Sequence, residues 1–151
     1  MPGKTQLINY FLVNDAWFLV DLPGYGWAQA SKTSRLKWEK MVKTYLSQAS
    51  ITTIFILLDS RHPLQSIDLA FIAWVIKAKL SYGLVLTKAD KCKKKEIATH
   101  IRLLEKELHT RKWRLPPLFV TSATSAAYKS APGGYHEILA YIEELLQEKD
   151  A

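Results

Sequence analysis

The chain has 151 residues, of which 48% are hydrophobic and 23% charged, with a net charge of +7 and a pI near 9.5. This composition suits one ordinary folded domain and excludes a disordered chain; no apolar run reaches the ~18 residues of a membrane span, and the start, Met1 to Gln6, has no signal-peptide core. The single cysteine, Cys92, excludes an internal disulfide framework and makes a reducing, cytoplasmic setting the simplest one, while the basic excess points to a polyanionic partner such as RNA or anionic lipid, against the alternative of a merely basic protein.

Leu7 to Val13 reads as a strand, Asn14-Asp15 as a turn, and Trp17 to Asp21 as a second strand, so a hairpin is expected. The continuous apolar run Trp17-Phe18-Leu19-Val20 predicts a strand buried on both faces, as in a parallel sheet. Ser31 is a good N-cap for a helix over 32–49, with Leu36, Met41, Val42, Tyr45 and Leu46 near one face. Thr52 to Leu58 is an apolar strand ending at Asp59, and 67–79 a helix. Tyr82 to Leu86 is a third buried strand, and Cys92 to about Trp113 a long helix that Pro116-Pro117 ends. Leu118 to Val120 is a short strand, Pro132-Gly133-Gly134 a flexible loop, and Tyr135 to Gln147 a final amphipathic helix. Strands alternating with helices predict an α/β fold with a mostly parallel sheet in one domain, 1–151.

Three loops follow three of these strands: Asp21-Leu22-Pro23-Gly24, Thr87-Lys88-Ala89-Asp90 and Thr121-Ser122-Ala123. Parallel strands carry such loops to one sheet edge, where ligands bind in open α/β sheets. A carboxylate at Asp21 can hold hydrated Mg²⁺, and a glycine three residues on lets a backbone N–H approach a phosphate. Asp-x-x-Gly is also a common turn. Thr-Lys-Ala-Asp fits guanine: a carboxylate accepts both N1–H and N2–H₂, which adenine does not offer, and the Lys88 stem can lie across the base. Asp90 taken alone could equally cap a helix. In Ser122-Ala123 a small residue leaves a backbone N–H free for guanine O6. Gly3-Lys4-Thr5 is not a P-loop, because G-x-x-x-x-G-K-[ST] needs an earlier glycine, a preceding strand and a following helix.

The sequence resembles the EngB-type GTP-binding proteins, a branch of the translation-factor-like P-loop GTPases linked to large ribosomal subunit assembly and to cell division and septation. The residues that carry the resemblance are Pro2-Gly3-Lys4-Thr5-Gln6-Leu7-Ile8-Asn9, Asp21-Leu22-Pro23-Gly24-Tyr25-Gly26, Asp59-Ser60-Arg61-His62, Thr87-Lys88-Ala89-Asp90, Leu115-Pro116-Pro117 and Glu137-Ile138-Leu139. They run nearly end to end. The resemblance implies a three-layer P-loop GTPase-like domain that binds GTP or GDP with Mg²⁺. By position, Gly3, Lys4, Thr5, Gln6 and Leu7 would line the nucleotide, and Thr5 would meet Mg²⁺. Asp21 would reach the metal through water, and Gly24 the γ-phosphate. Thr87, Lys88, Ala89 and Asp90 would hold guanine, with Thr121, Ser122 and Ala123 closing over it. Tyr25 stands where many GTPases place a water-orienting Gln, so slow unaided hydrolysis is implied.

Members of that family begin with a strand, a P-loop and a helix, and this sequence carries none of the three. The expectation is therefore an incomplete EngB-type domain, a fragment or degenerate member, whose nucleotide binding is impaired. It is expected to be a monomer that meets the large ribosomal subunit or rRNA and has no membrane span. The alternative is a non-enzymatic, basic rRNA- or ribosome-binding module. Other residues carry weaker signals. Asp59 and His62 could do acid–base work or make a loop contact. Lys91, Lys93, Lys94, Lys95, Arg111, Lys112 and Arg114 could grip rRNA phosphates or form a solvated face. Trp27, Trp38, Trp74 and Trp113 fit core or interface better than base stacking. Cys92 is expected to be inert, though its lysine neighbours could lower its pKa.

Overall fold

The computed structural model describes residues 7–24, 31–128 and 134–151. The expectations placed on Gly3, Lys4, Thr5, Gln6, Tyr25, Gly26, Trp27 and the Pro132-Gly133 loop lie outside these residues. No helix among the described residues is long and apolar enough to cross a membrane. The chain divides into two compact units, Met1–Ser50 and Ile51–Ala151.

The first unit holds the expected hairpin. Strand β1 (Asn9–Val13) pairs antiparallel with β2 (Trp17–Asp21), in a register running from Asn9↔Asp21 to Val13↔Trp17. Asn14 and Asp15 have φ of 50° and 53°, left-handed values that their short polar side chains tolerate and that hairpin turns need. The Ala16 N–H closes the turn on the Val13 carbonyl at 3.0 Å. Helix α1 (Lys32–Gln48) starts as predicted at Ser31, whose hydroxyl accepts the Ser34 N–H at 3.1 Å. Val42 and Leu46, one turn apart, are its buried residues, whereas Leu36 is 56% exposed. Tyr10 meets Phe18 and Tyr45 edge-on, each at 6.1 Å between ring centroids. Burial, with the Tyr10 phenol adding to it, pushes Tyr45 up to about 12.

One expectation fails here. Strand β2 is not buried on both faces: Phe18 is 60% and Leu19 48% exposed. Among the described residues its only strand partner is β1. A parallel strand is buried because helices cover both faces of its sheet. A two-stranded ribbon lacks that cover, and an apolar run does not reveal how many neighbours a strand has.

The second unit holds a parallel sheet in the order β3-β4-β5. Its elements are β3 (Ile54–Asp59), α2 (Ser66–Lys77), β4 (Tyr82–Thr87), α3 (Lys94–Thr110), β5 (Leu118–Val120) and α4 (Tyr135–Asp150). Register pairs Asp59 with Thr87 and Leu86 with Val120, so all three strands end at one edge. The central strand β4 is buried from Gly83 through Leu86, as its sequence predicts. Edge strand β3 instead alternates, with Ile54, Ile56 and Leu58 buried and Leu57 61% exposed. Ile72 and Val75 from α2, Ile97, Leu104 and Leu108 from α3, and Phe119 from β5 complete the buried set. Tyr141 of α4 packs on Phe55 and Phe119, with ring centroids at 6.2 and 5.8 Å.

Helix ends in this unit follow local chemistry. Asp68 accepts the Gln65 N–H at 2.8 Å, and Glu96 the Lys93 N–H at 2.8 Å, both reaching back from the third helical position. Lys79 and Lys112 take φ of 57° and 58° just past α2 and α3. There Leu80 N–H reaches the Val75 carbonyl at 3.1 Å, and Trp113 N–H the Leu108 carbonyl at 3.0 Å.

Candidate guanine-nucleotide site

Two of the three predicted loops meet at the carboxyl edge of the parallel sheet. The Thr121 N–H donates to the Leu86 carbonyl at 2.8 Å, and the Ala89 N–H to the Thr121 carbonyl at 3.1 Å. These bonds continue the β4–β5 ladder past the strand ends and lock the loops together. Lys88 has φ 56° and ψ 33°, a left-handed kink that turns the chain out of β4 into a short 3₁₀ turn, Ala89–Lys91. Ala89 is fully buried at the pivot. Tyr128 donates its hydroxyl to the Ala89 carbonyl at 3.3 Å.

Asp90 is held on both carboxylate oxygens. Its Oδ1 accepts the Ser122 hydroxyl at 2.6 Å, and its Oδ2 the Thr124 hydroxyl at 3.3 Å, with Lys91 Nζ 3.5 Å away. The Ser122 hydroxyl, with backbone and Lys91 charge adding to it, holds Asp90 below the usual carboxylate range. A carboxylate offers about four lone-pair sites, so acceptor capacity remains for an incoming donor pair. Ser122 is itself 4% exposed and accepts the Thr124 and Ser125 N–H groups at 3.3 and 3.1 Å. Asp90 does not cap α3; Lys93 holds that position, with Glu96 reaching back to it.

The loop after β3 joins the same edge. Asp59 faces Thr87 in register, and the Ser60 N–H donates to the Thr87 carbonyl at 2.9 Å. Asp59 accepts Arg61 Nε and backbone N–H at 3.0 Å each on Oδ1, and Arg61 Nη2 at 2.7 Å and Lys88 Nζ at 3.0 Å on Oδ2. The Arg61 guanidinium, with Lys88 adding to it, holds the Asp59 carboxyl well below the usual range. An Asp59–His62 acid–base pair is therefore not formed: His62 reaches Asp59 only through a backbone bond, N–H to carbonyl, at 3.1 Å. His100 Nδ1 lies 2.9 Å from the Ser60 carbonyl, bracing this loop from α3.

The third predicted loop belongs to the first unit. Asp21 is exposed at the end of β2, Leu22 half-buried, Pro23 buried and Gly24 exposed. Trp38 Nε1 donates to the Pro23 carbonyl at 2.7 Å. A Cβ on Gly24 would meet nothing within 4 Å, so the fold itself does not demand glycine there. Leu7 is 68% exposed. Among the described residues no three His, Cys, Asp or Glu gather as a metal cluster.

Several supporting residues escaped sequence reasoning. Thr124 and Tyr128 bond directly to the predicted residues Asp90 and Ala89, and Arg61, present in the Asp59-Ser60-Arg61-His62 motif, grips Asp59; only the Ser/Thr-rich run 121–125 signals the first of them. For Cys92 only the proviso fails, that its lysine neighbours lower its pKa. Burial, with Glu96 and Asp59 adding to it, pushes its thiol up rather than down. Of its neighbours it is Arg61, not a lysine, that pulls the other way. Lys91, Lys93, Lys94 and Lys95 are exposed. Trp74 stacks on Phe71 at 6.0 Å, and Arg111 lies 5.2 Å over the Trp113 ring.

A family model described as "50S ribosome-binding GTPase" matches residues 1–88. "Probable GTP-binding protein EngB" of Flavobacterium johnsoniae is 39% identical over 149 residues, covering 97% of this chain and 68% of that protein. The proteins of the same name from Cytophaga hutchinsonii and Bacteroides fragilis are 41% and 38% identical, over 95% and 97% of this chain and 70% and 71% of theirs. Among solved structures, apo translation elongation factor SelB of Methanococcus maripaludis superposes with a TM-score of 0.62 at 17% identity, over 86% of this chain and 25% of that one. The fold is thus the α/β fold of P-loop GTPases. With this level of identity sustained over nearly the whole sequence, the chain belongs to the EngB family of GTP-binding proteins.

Proposed function

We propose that the edge formed by Thr87–Asp90 and Thr121–Ala123 recognises the guanine base of GTP or GDP. Asp90 accepts guanine N1–H and N2–H₂, the Lys88 stem lies along the ring, and the exposed Ala123 N–H meets O6. The observation that carries this reading is the Asp90 carboxylate, held on both oxygens by Ser122 and Thr124 with acceptor sites to spare. Adenine offers no matching donor pair.

Asp21 and Gly24 serve the phosphate end in this reading. A single exposed carboxylate suits Mg²⁺, which keeps most of its waters and takes one or two carboxylates alongside the phosphates. Asp21 would hold the ion through water and Thr5 through its hydroxyl, where the ion would neutralise phosphate charge. Gly24 N–H would reach the γ-phosphate, and Gly3, Lys4, Gln6 and Leu7 would line the nucleotide. The 151 residues contain no G-x-x-x-x-G-K-[ST], the segment whose backbone N–H groups and lysine cradle phosphates. In this reading the polypeptide as it stands binds guanine nucleotides weakly. Its cellular role is in large ribosomal subunit assembly and normal cell division, in the cytoplasm, as a monomer bound to the subunit or its rRNA. The description of the matching family model and the +7 charge support that reading. The missing phosphate segment also supports a second reading, a basic ribosome-binding module without nucleotide turnover.

Titration with a fluorescent guanine nucleotide, followed by amide chemical shifts at millimolar GDP and ADP, tests the proposal. Expected are a dissociation constant weaker than micromolar and shifts at Lys88–Asp90 and Ser122–Thr124 with GDP but not ADP. Micromolar or tighter binding overturns the impairment. Equal responses to GDP and ADP overturn the guanine assignment.

A further inference from the structure

We infer that Asp59 is a positioning residue for guanine recognition, which anchors the Lys88 ammonium and so orders the stem that meets the base. The inference rests on the reading of Lys88 and Asp90 as the base-binding pair.

The geometry gives the direction of action. Asp59 ends β3 directly beside Thr87 on β4. Its carboxylate is fixed without help from Lys88, because the Arg61 side chain grips both oxygens and the Arg61 backbone N–H caps Oδ1. The Ser60 bond to Thr87 and the His100 contact with Ser60 hold the loop that carries it. The Asp59 side chain is 26% exposed, whereas that of Lys88 is 54% exposed. The lysine is therefore the movable member of the pair, and the carboxylate is its anchor.

Anchoring the ammonium does two things. A lysine stem has four rotatable bonds, and freezing them opposes any contact that uses the stem. With Nζ tied to Asp59 at 3.0 Å, that ordering precedes ligand arrival and leaves the methylene chain as a preformed apolar strip for a ring. The bridge also keeps the ammonium off Asp90, two residues along. Asp90 takes its partners from Ser122, Thr124 and Lys91 instead, so its remaining lone pairs stay open to the N1–H and N2–H₂ donors.

The test uses the 151-residue chain, amide-shift titrations with GDP and IDP, and three variants. Asp59→Asn is isosteric and still accepts the Arg61 N–H. It is expected to weaken GDP and IDP by the same factor, about two- to fivefold as for a half-exposed ion pair. Asp90→Asn removes the preference for GDP over IDP, which lacks the 2-amino group. Lys88→Met keeps the stem and removes the anchor, so Asp59→Asn should cost nothing further in that background. A purely structural role for Asp59 predicts the same loss in both backgrounds, and that result overturns the inference, as does an unchanged affinity in Asp59→Asn. A ligand-free arm separates this inference from the reading beneath it. Lysine acylation mapped by mass spectrometry should rise at Lys88 alone in Asp59→Asn; no rise shows that Asp59 does not hold the lysine. A wild-type chain blind to GDP overturns the base-binding reading and the inference together.

Discussion

The carboxyl edge of the parallel sheet and the loop after β2 carry the same kind of residues, yet they are built differently. At the first, every predicted polar side chain has a protein partner: Asp90 has Ser122 and Thr124, Lys88 has Asp59, and Thr87 reaches the Leu58 carbonyl at 3.3 Å. At the second, Asp21 and Gly24 are exposed, and Trp38 donates to the Pro23 carbonyl. The difference teaches that the loops at the edge within Ile51–Ala151 are ordered by protein contacts, whereas Asp21 and Gly24 stand exposed; in the proposed reading the first region recognises the base and the second meets the phosphates. Aromatic and aliphatic residues of the hairpin follow the same pattern: Tyr10, Phe11, Leu12 and Phe18 are all more than half exposed, a large apolar surface of the kind that usually meets something.

The largest effect should come from the side chain on which the preorganised edge turns. Ser122→Ala removes the acceptor of two backbone N–H groups and the donor to Asp90 at a site 4% exposed. Stranding those amides should cost about 2 kcal/mol in urea denaturation, and the GDP-over-ADP shift difference should disappear. A loss below ~0.5 kcal/mol with selectivity intact would mean that Asp90 is held by other means, and the contrast between the two regions would weaken.

The sequence disclosed these regions unequally. Thr87–Asp90 and Thr121–Ala123 were readable because polar residues closing apolar strands land on one edge whenever the strands are parallel, and β4 and β5 are. The burial of β4 followed from its apolar run because β4 is central. The same reasoning misplaced β2, since Phe18 and Leu19 look alike in a covered strand and in a bare ribbon. Asp59 stands close to His62 in the chain, which offers an acid–base pair as one alternative to a loop contact. Its carboxylate instead answers to Arg61 and to Lys88, the latter 29 positions away. Lysines flank Cys92 in the chain, yet burial, with Glu96 and Asp59 adding to it, pushes its thiol up. Charge relations that cross between strands leave no periodic trace.

A smaller effect is expected at the hairpin end. Trp38→Phe keeps a six-membered aromatic ring but loses the indole N–H and its 2.7 Å bond to the Pro23 carbonyl. A net loss of about 1 kcal/mol should be accompanied by amide-shift changes from Asp21 to Gly24 and none at Asp90 or Ser122. Changes spreading to Asp90 would show that the two regions are coupled, and the comparison would have to be redrawn.

The smallest effect is the sharpest test of what the second region is for. Gly24 has open space where a side chain would begin, with nothing within 4 Å, and its φ is not in the left-handed range. Gly24→Ala should therefore leave the denaturation midpoint within ~0.5 kcal/mol of wild type, the usual range for a surface change away from special backbone. A methyl group there would still stand between the Gly24 N–H and an approaching phosphate. Any difference between GTP and GDP in the amide shifts of residues 21–24 should thus vanish in the variant, while the base-dependent shifts at Lys88–Asp90 persist. A destabilisation above ~1 kcal/mol would mean that the fold, not a ligand, requires the glycine, and the phosphate role assigned to this loop would fall.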